Sequence, residues 1–312
     1  MGSSSSVAWL RAFGRRHRVP ITIIGSVGTA AILAYVLWDR RHEFAHALES
    51  ASIWILLVTI LLQIVALVSR TEAWHLTIEA AGGSVARRVL YRASGLQVLG
   101  GAINGHLGVA VRIGALRRSS PEVSPQVPTL IAAEFPILAI EAGLAALTSF
   151  TLIGPLGLPW WLPLIAITLV AVISAGLRRL ALGKGRELWK GLTVLRRLGS
   201  GSRVVGFVLV AVFAQIFRNW MLLHAVGVDA SFLDSIAVLI AVVTLSQLPT
   251  GPSVGAASAV LILGHDGVAA TAAAGLLLTA TGTVGGLCFA AWSGADHVFT
   301  RRAALRRSAP ET

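Results

Sequence analysis

Apolar residues gather in six runs along the chain, at residues 19–38, 52–69, 127–153, 160–177, 204–226 and 268–292. An α-helix needs roughly 20 such residues to cross about 30 Å of hydrocarbon, so each run predicts a transmembrane helix. Two further apolar regions, 93–116 and 235–263, are interrupted near their middles, at Asn104–Gly108 and at Pro249–Gly255. Each predicts a helical hairpin that turns back at its break. The fold class that follows is an all-α polytopic membrane protein with six full transmembrane helices and two helical hairpins, eight elements if the hairpins span. One membrane domain, 19–292, lies between a basic N-terminal segment, 1–18, and a basic tail, 293–312.

Composition agrees with this pattern. Of 312 residues 55% are hydrophobic and 13% charged, and the mean hydropathy is +0.77; a soluble domain carries about 25% charged residues. The net charge of +12 does not point to nucleic acid, because the basic residues stand in short clusters between apolar runs rather than on one polar surface. Lys and Arg remain on the cytoplasmic side of short loops. With the N-terminus inside, all 26 basic residues except Arg40, Arg41 and Arg218 fall in inner segments, while Asp39, Glu43, Glu49, Asp229, Asp234 and Asp266 fall outside. Both termini are thus expected in the cytoplasm. Arg far outnumbers Lys, which suits a GC-rich bacterial gene and an inner-membrane location. The first apolar run is long and has no small-residue exit, so a retained helix is expected rather than a cleaved signal. Gly2 with Ser6 fits a myristoylation pattern, read as a chance match.

Little in the chain points to metal, redox or cofactor chemistry, and no cofactor is expected. Cys288 is the single cysteine, which excludes an intrachain disulfide. His42 and His46 have an i, i+4 spacing but stand in a predicted outer loop without a third close ligand. No phosphate loop, nucleophile elbow or paired catalytic carboxylates occur, so the chain is not expected to be an enzyme.

The two breaks carry the candidate chemistry. Non-helical backbone at membrane depth must be buried in protein or line a wet cavity. A new half-helix begins after each break, near Leu107 and Ser253, and its free amides attract an anion. Asn104, Gly105, His106, Gly108 and Arg112 form the first candidate site, and Pro249, Gly251, Pro252, Ser253 and Gly255 the second. The glycines there let a headgroup approach the backbone, or serve helix packing, the reading preferred for Gly100, Gly101, Gly275, Gly285 and Gly286. Arg112 either binds an anion or snorkels to cytoplasmic headgroups. Glu134 and Glu141 lie seven apart on one face of the third full span. They are expected to pair with Arg112 or Arg218, or to couple protons. Arg218 either binds phosphate or reaches the outer interface with Trp220. The stretch Arg70–Arg92, with Trp74, Leu76 and Ile78 among arginines, is expected to lie in the inner interface against anionic lipid.

A repeat is visible as well. Gly82 to Asn104 and Gly227 to Pro249 both span 22 residues, and the first hairpin starts and ends inside where the second starts and ends outside. Inverted repeats, 19–153 and 160–292, are therefore expected. Such repeats with broken helices mark transporters whose site lies near the midplane.

These residues, in this order, resemble the lysylphosphatidylglycerol synthase transmembrane, or flippase-like, family over roughly residues 50–292. The likeness rests on Arg70 and Trp74, Gly82 and Gly83, Gly108 and Arg112, Glu134, and Leu248, Pro249, Pro252 and Gly255. It implies a stand-alone member, without the soluble aminoacyltransferase domain, that moves a lipid or lipid-linked substrate between leaflets. Asn104 and Val109 stand where the family commonly has Pro and Glu, Ser258 stands where it has another Glu, and the Arg of the last span is absent from Leu276–Thr283.

The expected function is translocation of an anionic lipid or polyprenyl-linked headgroup, with membrane lipid as the partner and no nucleic acid. The alternatives are a non-transporting scaffold or accessory subunit and, third, an intramembrane transferase using His106. The sequence leaves open whether the chain forms an oligomer.

Overall fold

The computed structural model describes residues 35, 37–101, 105–119, 126–184, 198–246 and 254–307. All regular structure in them is helical: α1 Arg41–Ser50, α2 Ile53–Ala80, α3 Arg87–Gly101, α4 Gly105–Ser119, α5 Val127–Ala132, α6 Glu134–Thr148, α7 Ile153–Leu156, α8 Leu162–Lys184, α9 Leu198–Ala225, α10 Phe232–Leu245, α11 Val254–Leu263 and α12 Val268–Arg307, with short 3-10 turns at Trp38–Arg40, Ser149–Leu152 and Gly264–Asp266. Four described helical stretches, Ile53–Ala80, Val127–Leu156, Gly201–Ala225 and Val268–Ala295, are long and apolar enough to cross a membrane. Shorter apolar helices occupy Leu162–Gly176, Phe232–Leu245 and Val254–Leu263. The chain is an all-α polytopic membrane protein. The first predicted run, 19–38, lies almost wholly outside the described residues.

Helix α2 has neither Gly nor Pro in its 28 residues and runs about 42 Å at 1.5 Å per residue. It stops at Gly82, whose φ of +87° only glycine adopts readily. The Gly83 N–H donates to the Ile78 carbonyl at 2.9 Å, closing a Schellman turn. Helix α9 ends the same way: Gly227 has φ +81°, and the Val228 N–H donates to the Leu223 carbonyl at 3.0 Å. The span that opens with α5 bends at Ala133, because Pro136 cannot donate a helical N–H and its ring crowds the carbonyl one turn back. That bend sets Glu134 at the start of α6.

Three packing units hold the helices together. One cluster joins Ala47 of α1, Leu223 of α9 and Val226 just beyond its end, Val238 of α10, Ile262 of α11 and Ala273 of α12. A second joins Trp74 and Ile78 of α2, Leu90 of α3, Leu116 of α4, Leu130 and Ile137 of the α5–α6 span, and Val204 and Val208 of α9. Between them Ala66, Ala211 and Ala214 let α2 and α9 approach closely. The exposed Trp38, Trp54, Trp160 and Trp161 all lie at the end of the first cluster, while Trp292 is exposed towards the other. This is the placement of interfacial aromatic anchors.

Two expectations are corrected. Residues 41–50 form a helix rather than a loop, because Phe44, Ala47 and Leu48, at helical spacing, pack on the first cluster. Arg70–Arg92 is not one amphipathic surface segment: α2 continues through Ala80, with Trp74 and Ile78 fully buried, and α3 starts at Arg87 only after the glycine turn. The apolar cluster around Trp74 outweighs the local polarity that suggested an interfacial helix.

Candidate functional site

One face of α2 carries Gln63, Arg70 and Trp74. At about 100° per residue, spacings of seven and four keep the three within about 40° of one another, along about 16 Å of helix. Every one of them meets a guanidinium or a carboxylate from another helix.

Deepest from the Trp74 end, Arg218 of α9 is buried among neutral oxygens. It donates to Gln215 Oε1 at 2.7 Å, to Gln63 Oε1 and to the Leu278 carbonyl of α12. Gln215 Nε2 also donates to Gln63 Oε1 at 2.8 Å. Gly282 makes room, since a Cβ there would lie 2.8 Å from Arg218 Nη2. Among the described residues no carboxylate reaches Arg218. The expected partnership with Glu141 is thereby corrected: Arg218 faces α2 and α12, whereas Glu141 is on α6.

Arg70 takes that place. Its Nη2 donates to Glu141 Oε2 at 3.0 Å, and the two side chains are 48% and 27% exposed. Arg70 lies ten residues, about 15 Å, from the C-terminal end of α2 and further from its other end. It is the one exposed residue from Ala66 to Ile78.

Arg112 of α4 is different. It is 3% exposed, pairs with Glu134 of α6 and lies over the Trp74 ring, with Cζ 3.5 Å from the centroid. A ring face attracts a desolvated guanidinium by about 2 kcal/mol. Neither alternative weighed for Arg112 describes this: it neither snorkels nor opens to a ligand, but fastens α4 to α2 and α6. Two N–H donors here, Arg112 Nε and Trp74 Nε1, have no acceptor among the described residues.

The hairpin glycines meet protein backbone. A Cβ on Gly108 would lie 2.7 Å from the Gln97 carbonyl oxygen and 3.0 Å from the Gly101 nitrogen, and one on Gly255 would lie 2.5 Å from the Gly275 oxygen. Their small size closes α4 on α3 and α11 on α12 rather than admitting a headgroup. Gly100, Gly285 and Gly286 are similarly close to neighbouring atoms. Asn104, Pro249, Gly251, Pro252 and Ser253 lie outside the described residues, as do the side chains of His106 and its neighbour Leu107; Gly105 and His106 open α4.

Gln63, Arg70, Trp74 and Gln215 were not assigned to a site from sequence. The 7–4 spacing of Gln63, Arg70 and Trp74 is the signal that marks them. No metal-binding group of three His, Cys, Asp or Glu occurs among the described residues. No family model matches the chain, and neither the curated proteins nor the solved structures include a match.

Proposed function

We propose that this protein moves an anionic lipid, or the headgroup of a lipid-linked anion, across the inner membrane, with both termini cytoplasmic. One observation carries the reading: among the described residues three guanidiniums, of Arg218, Arg70 and Arg112, and two carboxylates, of Glu134 and Glu141, stand along one face of a spanning helix. An excess of cation inside the membrane is costly unless it serves an anion or faces water. Arg70 and Glu141 are partly exposed, and lipid tails cannot solvate a charged pair within a span, so this reading places a hydrated groove beside α2 and α6. A headgroup would pass along that groove while its tails stay in lipid. The two glycine-capped long helices, each followed by paired shorter helices, support an inverted-repeat transporter plan. The resemblance to flippase-like proteins in Arg70, Trp74, Arg112 and Glu134 points the same way.

A scaffold role is favoured by a different observation: Arg112 and Arg218 are sealed inside the helix packing and hold it together. The two readings separate in liposomes of purified protein. Transport predicts faster loss of inner-leaflet asymmetry for fluorescent phosphatidylglycerol than for phosphatidylcholine with the same label. Absence of flux for several anionic lipids contradicts transport and supports the scaffold.

A further inference from the structure

We propose that Arg70 is the phosphate contact of this site and that Glu141 is its resident counter-anion, which gives way when a phosphate-bearing headgroup enters. The inference rests on the transport reading above and names the residue that does the binding.

Of the three guanidiniums along α2, two are committed elsewhere. Arg112 is shut between Glu134 and the Trp74 ring and is 3% exposed. Arg218 is 5% exposed and spends its donors on Gln63, Gln215 and the Leu278 carbonyl. Only Arg70 offers a guanidinium with open surface, and its one hydrogen-bond partner among the described residues is a single carboxylate oxygen of Glu141, reached through one nitrogen. A guanidinium presents five N–H donors in a planar fork that matches two oxygens of a phosphate as it does a carboxylate. One-point contact with Glu141 leaves most of that fork unused.

The exchange keeps charge in balance. A phosphodiester carries one negative charge, as Glu141 does, so Arg70 trades one monovalent anion for another and no covalent bond forms or breaks. Glu141, itself partly exposed, turns towards the same hydrated groove. Glu134 does not compete for Arg70, because it is engaged by Arg112. A resident anion has a use in transport: it prevents an empty guanidinium from being stranded at membrane depth between one substrate and the next.

A counter-anion that occupies the binding cation lowers apparent affinity in proportion to the time it occupies it. Removing it should therefore tighten binding, the reverse of what loss of a substrate contact does. The test uses the full chain in phosphatidylcholine nanodiscs, with soluble short-chain phosphatidylglycerol, short-chain phosphatidylcholine and inorganic phosphate as probes in calorimetric titrations. Expected for Glu141→Gln is about two- to fivefold tighter binding of phosphatidylglycerol than in the natural chain. Arg70→Gln should abolish binding, and Arg70→Lys should restore part of it through charge without the fork. Glu141→Ala serves as the second variant, and gel filtration and thermal melting establish that each variant is folded. Unchanged or weaker binding in both folded Glu141 variants overturns the proposal, as does undiminished binding in Arg70→Gln. If the natural chain speeds lipid flux yet Glu141→Gln does not tighten, only this inference fails. If neither the natural chain nor Glu141→Gln binds any phosphate-bearing probe, the transport reading fails and takes the inference with it. Tighter binding confined to inorganic phosphate keeps the exchange at Arg70 but overturns the lipid as its source.

Discussion

Glu134→Gln separates a fixed ion pair from an exchangeable one. Arg112 is 3% exposed and closed over by the Trp74 ring, so water cannot replace the carboxylate that Glu134 supplies. Loss of one partner from such a buried pair costs about 3–5 kcal/mol, because the other charge remains buried. Contact with the ring persists and moderates the loss, which places the expected value near the lower bound, about 3 kcal/mol. For Glu141→Gln the side chain of Arg70 is 48% exposed, and a solvent-screened pair contributes about 0–1 kcal/mol. The assay is unfolding of the full chain in mixed micelles on addition of a denaturing detergent, followed by tryptophan fluorescence. Arg112→Met combined with Glu134→Met should recover most of the loss, since two apolar side chains leave no stranded charge. Equal costs for Glu134→Gln and Glu141→Gln, or no recovery in the double variant, would refute the distinction between the pairs.

Two further outcomes follow from the packing. Gly108→Leu should prevent α4 from closing on α3, because even its Cβ would lie 2.7 Å from the Gln97 carbonyl oxygen; a cost of about 1–3 kcal/mol or more for overpacking is expected in the same unfolding assay, and stability within 0.5 kcal/mol of the natural chain, about the scatter of a neutral surface change, would contradict it. Cys288 is exposed on α12 beside exposed Leu287, Val284 and Trp292. An exposed apolar face on a spanning helix is expected to meet lipid, which a charged reagent does not enter, so a charged water-soluble maleimide should leave it unlabelled in intact membranes and label it after denaturation.

The apolar pattern made most of the spans and both hairpins legible, because hydrocarbon thickness and backbone satisfaction leave a chain few other ways to arrange runs of this length. Helix ends were less legible. Arg70 and Glu72 broke the apolar run that starts near Ile53, so the sequence ended this helix about eleven residues early, although Trp74, Thr77 and Ile78 behind them are fully buried. The pairing of Arg112 with Glu134 was among the sequence expectations. That of Glu141 was not, because which guanidinium meets a carboxylate depends on how α2, α6 and α9 are rotated against one another, and a single sequence holds no record of that rotation. The glycines at 108 and 255 signal close approach, but not whether protein or ligand does the approaching.

The central claim is that water reaches Arg70 at membrane depth. Its most direct test places one cysteine at a time in a chain whose Cys288 is replaced by alanine, comparing Arg70→Cys with Leu138→Cys, an exposed apolar position on α6. In intact membranes, a charged, membrane-impermeant thiol reagent should label position 70 and leave position 138 unmodified. Equal resistance to labelling at the two positions would contradict the hydrated groove and with it the proposed path for a headgroup.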